Sequence, residues 1–245
     1  MGFFDILSPL LNWLNGLFPA AIGDAGELIF WAAVGSVISM FFYKYISPQK
    51  RIRVLKQEIG SLRRELLKHN GEIGQMWPGA QRLLALNLKH VGMTLGPALV
   101  ASLPVLFLLA WISNTYSFGT PAPGAEVEIT AHSSKGDTES VVQWEQPWPL
   151  AGDPMILRNE AAGIRIETQG PSAVPVIHKK VWWNALFGNP LGYIPADDVV
   201  ERIELELPPK EILTGLPRWL AGWEAIFFAA VIGFSLALKF AVRIQ

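Results

Sequence analysis

The sequence predicts a mixed fold: a three-span α-helical membrane protein with a cytoplasmic helical hairpin and a small extracytoplasmic antiparallel β domain. Three observations predict it. Apolar runs long enough to cross a bilayer occur at Leu28 to Ile46, Val91 to Ile112 and about Leu220 to Leu238. Lipid offers the backbone no hydrogen-bond partners, so such runs read as helices. Basic residues crowd between the first two runs, where Lys44 through Lys89 holds ten of the chain's twenty Lys and Arg against the acids Glu58, Glu65 and Glu72. Between the second and third runs the chain turns to proline, glycine and period-two alternation, the pattern of strands.

The charge skew sets the expected orientation. The first twenty-seven residues contain no Lys or Arg, only Asp5, Asp24 and Glu27, whereas Asn114 to Pro217 carries seven basic and fourteen acidic residues, a net of about minus seven. By the excess of Lys and Arg in cytoplasmic loops, the N-terminus and the acidic block lie outside and the basic arm and C-terminus inside. The formal net charge of −1 hides this dipole. A basic arm of this kind can meet anionic headgroups, ribosomal RNA or an acidic protein, or serve as a topology signal with a solvated face.

Residues 1–22 place Phe3, Ile6, Leu7, Leu10, Leu11, Leu14 and Phe18 at helical spacing, with Asp5, Ser8, Asn12 and Asn15 between them. This predicts an amphipathic helix lying in the outer interface, or one packed on another subunit. No positive n-region precedes it and no small-residue cleavage pattern follows, so a cleavable signal is not expected. Gly23 to Gly26 lets the chain turn into the first span, 25–46, which closes on Phe41, Phe42, Tyr43, Lys44 and Tyr45, the aromatic and basic anchors of a cytoplasmic interface. Gly35, Ser36 and Ser39 offer small groups for a close helix approach.

The cytoplasmic hairpin, 47–90, carries an apolar seam at Ile52, Leu55, Ile59, Leu62 and Leu66, continued by His69, Ile73 and Met76. The alternating steps of three and four are those of a heptad repeat with one polar interruption. The expected arrangement is one helix to about His69, a turn through Asn70 and Gly71, and a return helix from about Gly79 whose Leu83, Leu84, Leu86 and Leu88 cover part of the seam. The second span, 91–113, contains Pro97 and Pro104, each of which removes a backbone donor and can kink a helix. Strands are expected in 114–216 at Glu126 to Thr130, Gly163 to Glu167 and Glu201 to Leu207, with weaker ones at Val141–Val142 and Val174 to Ile177. The third span, 217–240, enters through Trp219 and Trp223, with Glu224 at headgroup depth, and leaves a short cytoplasmic tail, 241–245.

The order of parts resembles the YidC-type membrane insertase superfamily, most nearly its minimal three-span archaeal YidC-like members and more distantly the Get-pathway membrane subunit and its counterpart in the ER membrane complex. Tyr45 to Leu66 (YISPQKRIRVLKQEIGSLRREL) and Leu88 to Ile112 (LKHVGMTLGPALVASLPVLFLLAWI) carry the likeness, with Pro97, Pro104 and Trp111 fitting the second-span pattern. It covers roughly residues 25–112 and 217–242. The resemblance implies a three-helix groove open to cytosol and lipid, shaped here by Pro97, Pro104 and Ser102. It also implies a hairpin that receives the client or its carrier, through Lys50, Arg51, Arg53, Arg63 and Arg64. A hydrated notch of this kind shortens the low-dielectric path that a polar client segment must cross. The spans have no mid-membrane Arg or Lys; Ser36, Ser39, Thr94, Ser102 and Ser235 are the polar candidates, which implies a weakly polar groove.

The remaining residues favour binding over catalysis. No Gly-x-Ser-x-Gly, His-Glu-x-x-His or phosphate-loop motif occurs, Asp197–Asp198 reads as a turn, and His90, His132 and His178 lack metal-ligand spacing. No catalytic residue, metal or cofactor is therefore expected. With no cysteine and no glycosylation triplet in the acidic block, a bacterial inner membrane is the expected location. The tract containing Trp182, Trp183, Phe187 and Tyr193 is open to two readings: a contact surface for a partner or the outer leaflet, or packing of the small domain's core. The expected partners are the bilayer and membrane-protein clients or a membrane complex, with a ribosome as a further candidate and no sequence-specific nucleic acid. The functional expectation is an insertase or membrane chaperone. The alternative is a structural or assembly subunit that binds a partner through its external domain, and a cation leak channel is a lesser one, since no ring of acids lines any span.

Overall fold

A computed structural model describes residues 2–68, 73–135, 138–150, 153, 155–160, 163–168 and 173–242. The helices are α1 (Ser8–Asn15), α2 (Gly23–Ile46), α3 (Gln49–Lys68), α4 (Ile73–Tyr116), α5 (Arg218–Ala221) and α6 (Trp223–Val242). The strands are β1 (Glu126–Lys135), β2 (Thr138–Pro147), β3 (Ile156–Asn159), β4 (Ile164–Glu167), β5 (Val176–His178) and β6 (Val200–Leu205). The chain divides into two compact units, Met1–Ile29 with Leu106–Phe227, and Phe30–Val105 with Phe228–Gln245.

Three helices are long and apolar enough to cross a membrane, within Ala20–Ile46, Trp77–Tyr116 and Trp223–Val242. The protein itself covers only 28%, 28% and 6% of their most apolar windows. Apolar helices left this bare would be unfavourable in water by roughly 25 cal/mol for each Å², so the fold is that of a membrane-embedded chain.

In the first unit, β2-β1-β6-β5 form a four-stranded antiparallel sheet and β3-β4 a separate hairpin. Gln146 of β2 joins the two, donating through Nε2 to the Ile156 carbonyl at 2.7 Å and accepting from the Arg158 N–H at 3.1 Å. Inward residues alternate as the sequence pattern requires: Val127, Ile129 and Ala131 from β1, Ile203 and Leu205 from β6, and Ile164 and Ile166 from β4 are buried together. The strands expected near Glu126, Gly163 and Glu201 are present, and the weak pair Val141–Val142 lies inside the ten-residue β2. Asp198 accepts from the Val200 N–H at 2.9 Å, closing the turn that starts β6.

The second unit contains the helical arm. α3 and the start of α4 run antiparallel: Glu58 pairs with Arg82 at 3.0 Å, and a Cβ placed on Gly79 would meet Leu66 Cδ2 at 2.5 Å. Ile52 and Leu55 are buried, and Ile59, Leu62 and Leu66 are half-buried. Leu83 and Leu86 turn inward, whereas Leu84 and Leu88 are exposed, so the return helix covers the seam with two leucines and not four. His69 and the turn, 69–72, lie outside the described residues, as do the side chains of Ile73 and Met76.

Two helix boundaries differ from the sequence reading. The return helix runs from Ile73 and not from near Gly79; Pro78 lies inside it and leaves the Gly74 carbonyl without its helical donor. From there α4 continues through Pro97 and Pro104 to Tyr116 without a break. The third apolar helix starts only at Trp223. The short α5 precedes it and ends at Gly222, whose extended backbone (φ −80°, ψ 170°) interrupts helical geometry.

Candidate functional site

The base of the arm opens a cavity of about 710 Å³. Lys50 and Arg51 from the first turn of α3 and Lys89 from α4 reach it, and Val54, Leu55 and Met93 supply its apolar wall. The local sequence explains the mixture. Ile52 and Leu55 point into the seam, so positions 50, 51 and 54, on the flank of the same turns, are left at its edge. On α4, Lys89 and Met93 are one turn apart. Pro97 also removes the N–H that would bond the Met93 carbonyl, so the helix wall has an unspent acceptor at the level of the cavity. Glu58 is the one acid on the lining, and its carboxylate is held by Arg82.

The other sequence-derived arm residues are placed differently. Arg53, Arg63 and Arg64 are exposed on α3, and Arg64 Nε donates to the Gly60 carbonyl of its own helix at 3.2 Å. In the apolar part of α4, Pro97 and Pro104 are half-buried, and Ser102 Oγ donates to the Leu99 carbonyl at 2.7 Å. Thr94 likewise bonds the His90 carbonyl at 3.0 Å. These hydroxyls satisfy themselves within the helix. Ser36 bonds Ala32 at 2.7 Å in its own helix and also the Val231 carbonyl of α6 at 3.3 Å.

In the first unit the aromatic tract forms a pinned loop. A 3₁₀ turn spans Trp182–Ala185; the buried Asn184 accepts from the Val181 N–H at 2.7 Å and donates to the Phe187 carbonyl at 3.2 Å. Asn189 donates to the Val176 carbonyl at 2.7 Å and accepts from the Leu191 N–H at 2.9 Å. On this fixed frame Trp182 is 84% exposed, Trp183 rests against His178, and Phe187 stacks on Phe4 with ring centres 5.0 Å apart. The Tyr193 hydroxyl accepts from the Asn189 N–H at 3.0 Å. Tyr193 and Phe187 therefore pack within the unit, and Trp182 faces outward.

Sequence reasoning missed a polar network in the same unit. Glu27 accepts from Asn15 Nδ2 at 2.9 Å and from the Tyr116 hydroxyl in a short bond, while Lys210 pairs with Asp24 at 2.9 Å and lies 4.8 Å above the Tyr116 ring. Trp111 Nε1 donates to Asn12 Oδ1 at 2.6 Å. Asp5 is buried; its Oδ2 accepts from the Gly2 and Gly188 N–H groups at 3.0 and 2.5 Å, and its Oδ1 has no partner. The spacing of Asp5, Ser8, Asn12 and Asn15 was the available signal for this network.

Comparisons with models of protein families, with curated proteins and with solved structures find no match. Among the described residues, no group of three His, Cys, Asp or Glu side chains is placed to hold a metal ion. His132 stands 3.9 Å from Glu204, and His178 Nδ1 lies 2.7 Å from the Lys179 carbonyl. The arrangement offers docking surfaces: a basic arm with a two-sided cavity, apolar helices open to their surroundings, and a rigid loop presenting tryptophan.

Proposed function

We propose that this protein is a membrane-protein insertase or membrane chaperone of the YidC type, which assists the insertion or assembly of membrane proteins. One observation carries the reading: a basic antiparallel arm whose base opens a cavity next to an apolar, proline-bearing helix. The arm, with Lys50, Arg51, Arg53, Arg63 and Arg64, receives the client or a ribosome in the cytoplasm. The proline-bearing stretch of α4 shapes the path into lipid, and the β unit lies outside, in a bacterial inner membrane. Clients bind through desolvation of apolar segments and through counterion release on the arm.

The test is photocrosslinking in native membranes from reactive residues at Leu55 and Leu99, with captured proteins identified by mass spectrometry. Many different newly made membrane proteins are expected. Their absence, together with client insertion into proteoliposomes no better than into empty liposomes, would sink the reading.

A second reading is favoured by the exposure of Trp182 on a loop pinned by Asn184 and Asn189. Rigid exposed tryptophans make effective contact points. In this reading the chain is a structural or assembly subunit of a membrane complex. A single recurrent partner captured from Trp183 in fixed stoichiometry selects it.

A further inference from the structure

We propose that the cavity at the base of the arm binds the headgroup of an anionic phospholipid, with the phosphate among Lys50, Arg51 and Lys89 and the glycerol and upper acyl chain along Val54, Leu55 and Met93. The inference rests on the reading of the apolar helices as membrane spans and is independent of the insertase reading.

Charge is the first argument. Three cations converge on one cavity, and among the described residues none of the three forms an ion pair. Glu58, the carboxylate on the lining, is taken by Arg82 at 3.0 Å. The lining therefore carries three cations against one carboxylate that is already paired, and the excess like charges repel one another without a further anion. Lysine and arginine side chains gathered where an arm meets the end of a membrane helix suit a lipid phosphate.

The second argument is the apolar wall. A site for free phosphate would be polar all round, whereas Leu55 is buried, Val54 is 63% exposed, and Met93 completes a continuous apolar face. An acyl chain laid along this wall would take the Val54 side chain out of water. Position agrees with both: Lys89 precedes the apolar run that begins at Val91, and Met93 lies in its first turn, so the polar and apolar sides follow the order of headgroup and acyl chain along the helix. A volume of about 710 Å³ accommodates a headgroup and the first part of a chain.

The test uses the purified full chain in nanodiscs of neutral phosphatidylcholine, titrated with phosphatidylglycerol or cardiolipin, with bound lipid counted by native mass spectrometry after release into neutral detergent. Two variants remove equal charge: Lys50→Gln with Arg51→Gln and Lys89→Gln, and Arg53→Gln with Arg63→Gln and Arg64→Gln. At roughly fivefold for each headgroup-level cation, the first should weaken anionic-lipid binding on the order of a hundredfold. The second should change it by only about twofold, since exposed charges away from the site are screened. Equal losses from both variants would overturn the proposal by making retention a property of overall arm charge. It would also be overturned if inorganic phosphate displaced the lipid at equal concentration, which would make the cavity a phosphate site. Both variants must first match the parent in circular dichroism. If the cavity variant fails that check, Val54→Glu in the apolar wall replaces it, with the same loss expected and unchanged retention refuting the proposal. No client protein is present, so the outcome is read separately from insertase activity.

Discussion

Tyr116→Phe isolates one bond of the polar network in the first unit. The phenol is 1% exposed, its hydroxyl donates to Glu27, and the ring keeps Lys210 above its face at 4.8 Å. Phenylalanine preserves the ring and this cation–π contact and deletes only the hydroxyl. Glu27 retains the Asn15 amide at 2.9 Å but loses its second donor, in a part-buried setting. A hydrogen bond to a charged group contributes about 1.5–3 kcal/mol, so the substitution should cost about 2 kcal/mol. Glu27→Gln keeps an acceptor for both donors and should cost about 1 kcal/mol, the charge-assisted part alone. The double variant should cost less than the sum by about 1 kcal/mol, because the two changes remove one shared bond. Reversible unfolding in mixed micelles, titrated with a denaturing detergent and followed by circular dichroism, measures all three. A Tyr116→Phe protein within about 0.5 kcal/mol of the parent, or a strictly additive cycle, would refute the reasoning.

In the arm, Ile52→Ala or Leu55→Ala should cost about 2–4 kcal/mol, and Leu67→Ala, at a position 75% exposed, under about 0.5 kcal/mol; amide exchange across Gln49–Lys68 reads the difference. Gly60 lies within α3 with open space where its Cβ would be, so Gly60→Ala should slow the same exchange by stabilising the helix about 0.5–1 kcal/mol, and faster exchange would count against an intact helix there. Asp5→Ala strands the Gly2 and Gly188 N–H groups and should cost about 2–4 kcal/mol, whereas Asp5→Asn restores an acceptor and should cost about 1 kcal/mol; proteolysis of the first fifteen residues ought to be faster in the Asp5→Ala protein than in the Asp5→Asn protein.

Much of the fold was legible because its signals are local. The three apolar runs, the seam from Ile52 to Leu66 and the alternation at Glu126, Gly163 and Glu201 each depend on neighbours within a few residues. β3 is not legible in the sequence, because Ile156, an apolar residue on the outward side, erases the alternation that Leu157 and Arg158 would otherwise show. Pro78 and Gly79 read locally as a breaker, yet the helix passes through both, as it passes through Pro97 and Pro104. At the candidate site, the cations of the arm were legible, but their division into those that line the cavity and those that do not was hidden. It depends on which side of the Ile52–Leu55 seam each one falls and on where Lys89 comes alongside. Glu27–Tyr116 and Asp24–Lys210 join residues 89 and 186 positions apart, and no periodicity reports such pairs.

Periodicity also gives the faces of α1 without giving the medium each face meets. Around a water-soluble domain its polar stripe would face outward. Here Leu11 is buried, Asn15 is half-buried on Glu27, and Asn12 is bonded to Trp111 although exposed, while Leu10, Trp13 and Leu17 are 53%, 63% and 63% exposed, with Phe3 and Ile6 beside them. So large an apolar face left to water would drive association. Laid along a bilayer surface it is the expected amphipathic arrangement, and the Asn12 and Asn15 bonds with buried Leu11 then hold the helix to its own unit. Spin labels separate the two cases. In liposomes, a label at Leu10 should be reached by oxygen, which concentrates in lipid, more readily than by a water-soluble nickel reagent, and a label at Asn15 should be poorly reached by both. If the nickel reagent reached Leu10 as freely as it reaches an exposed site on the β sheet, the apolar face would be open to water, and a second protein would be the better account of what covers it.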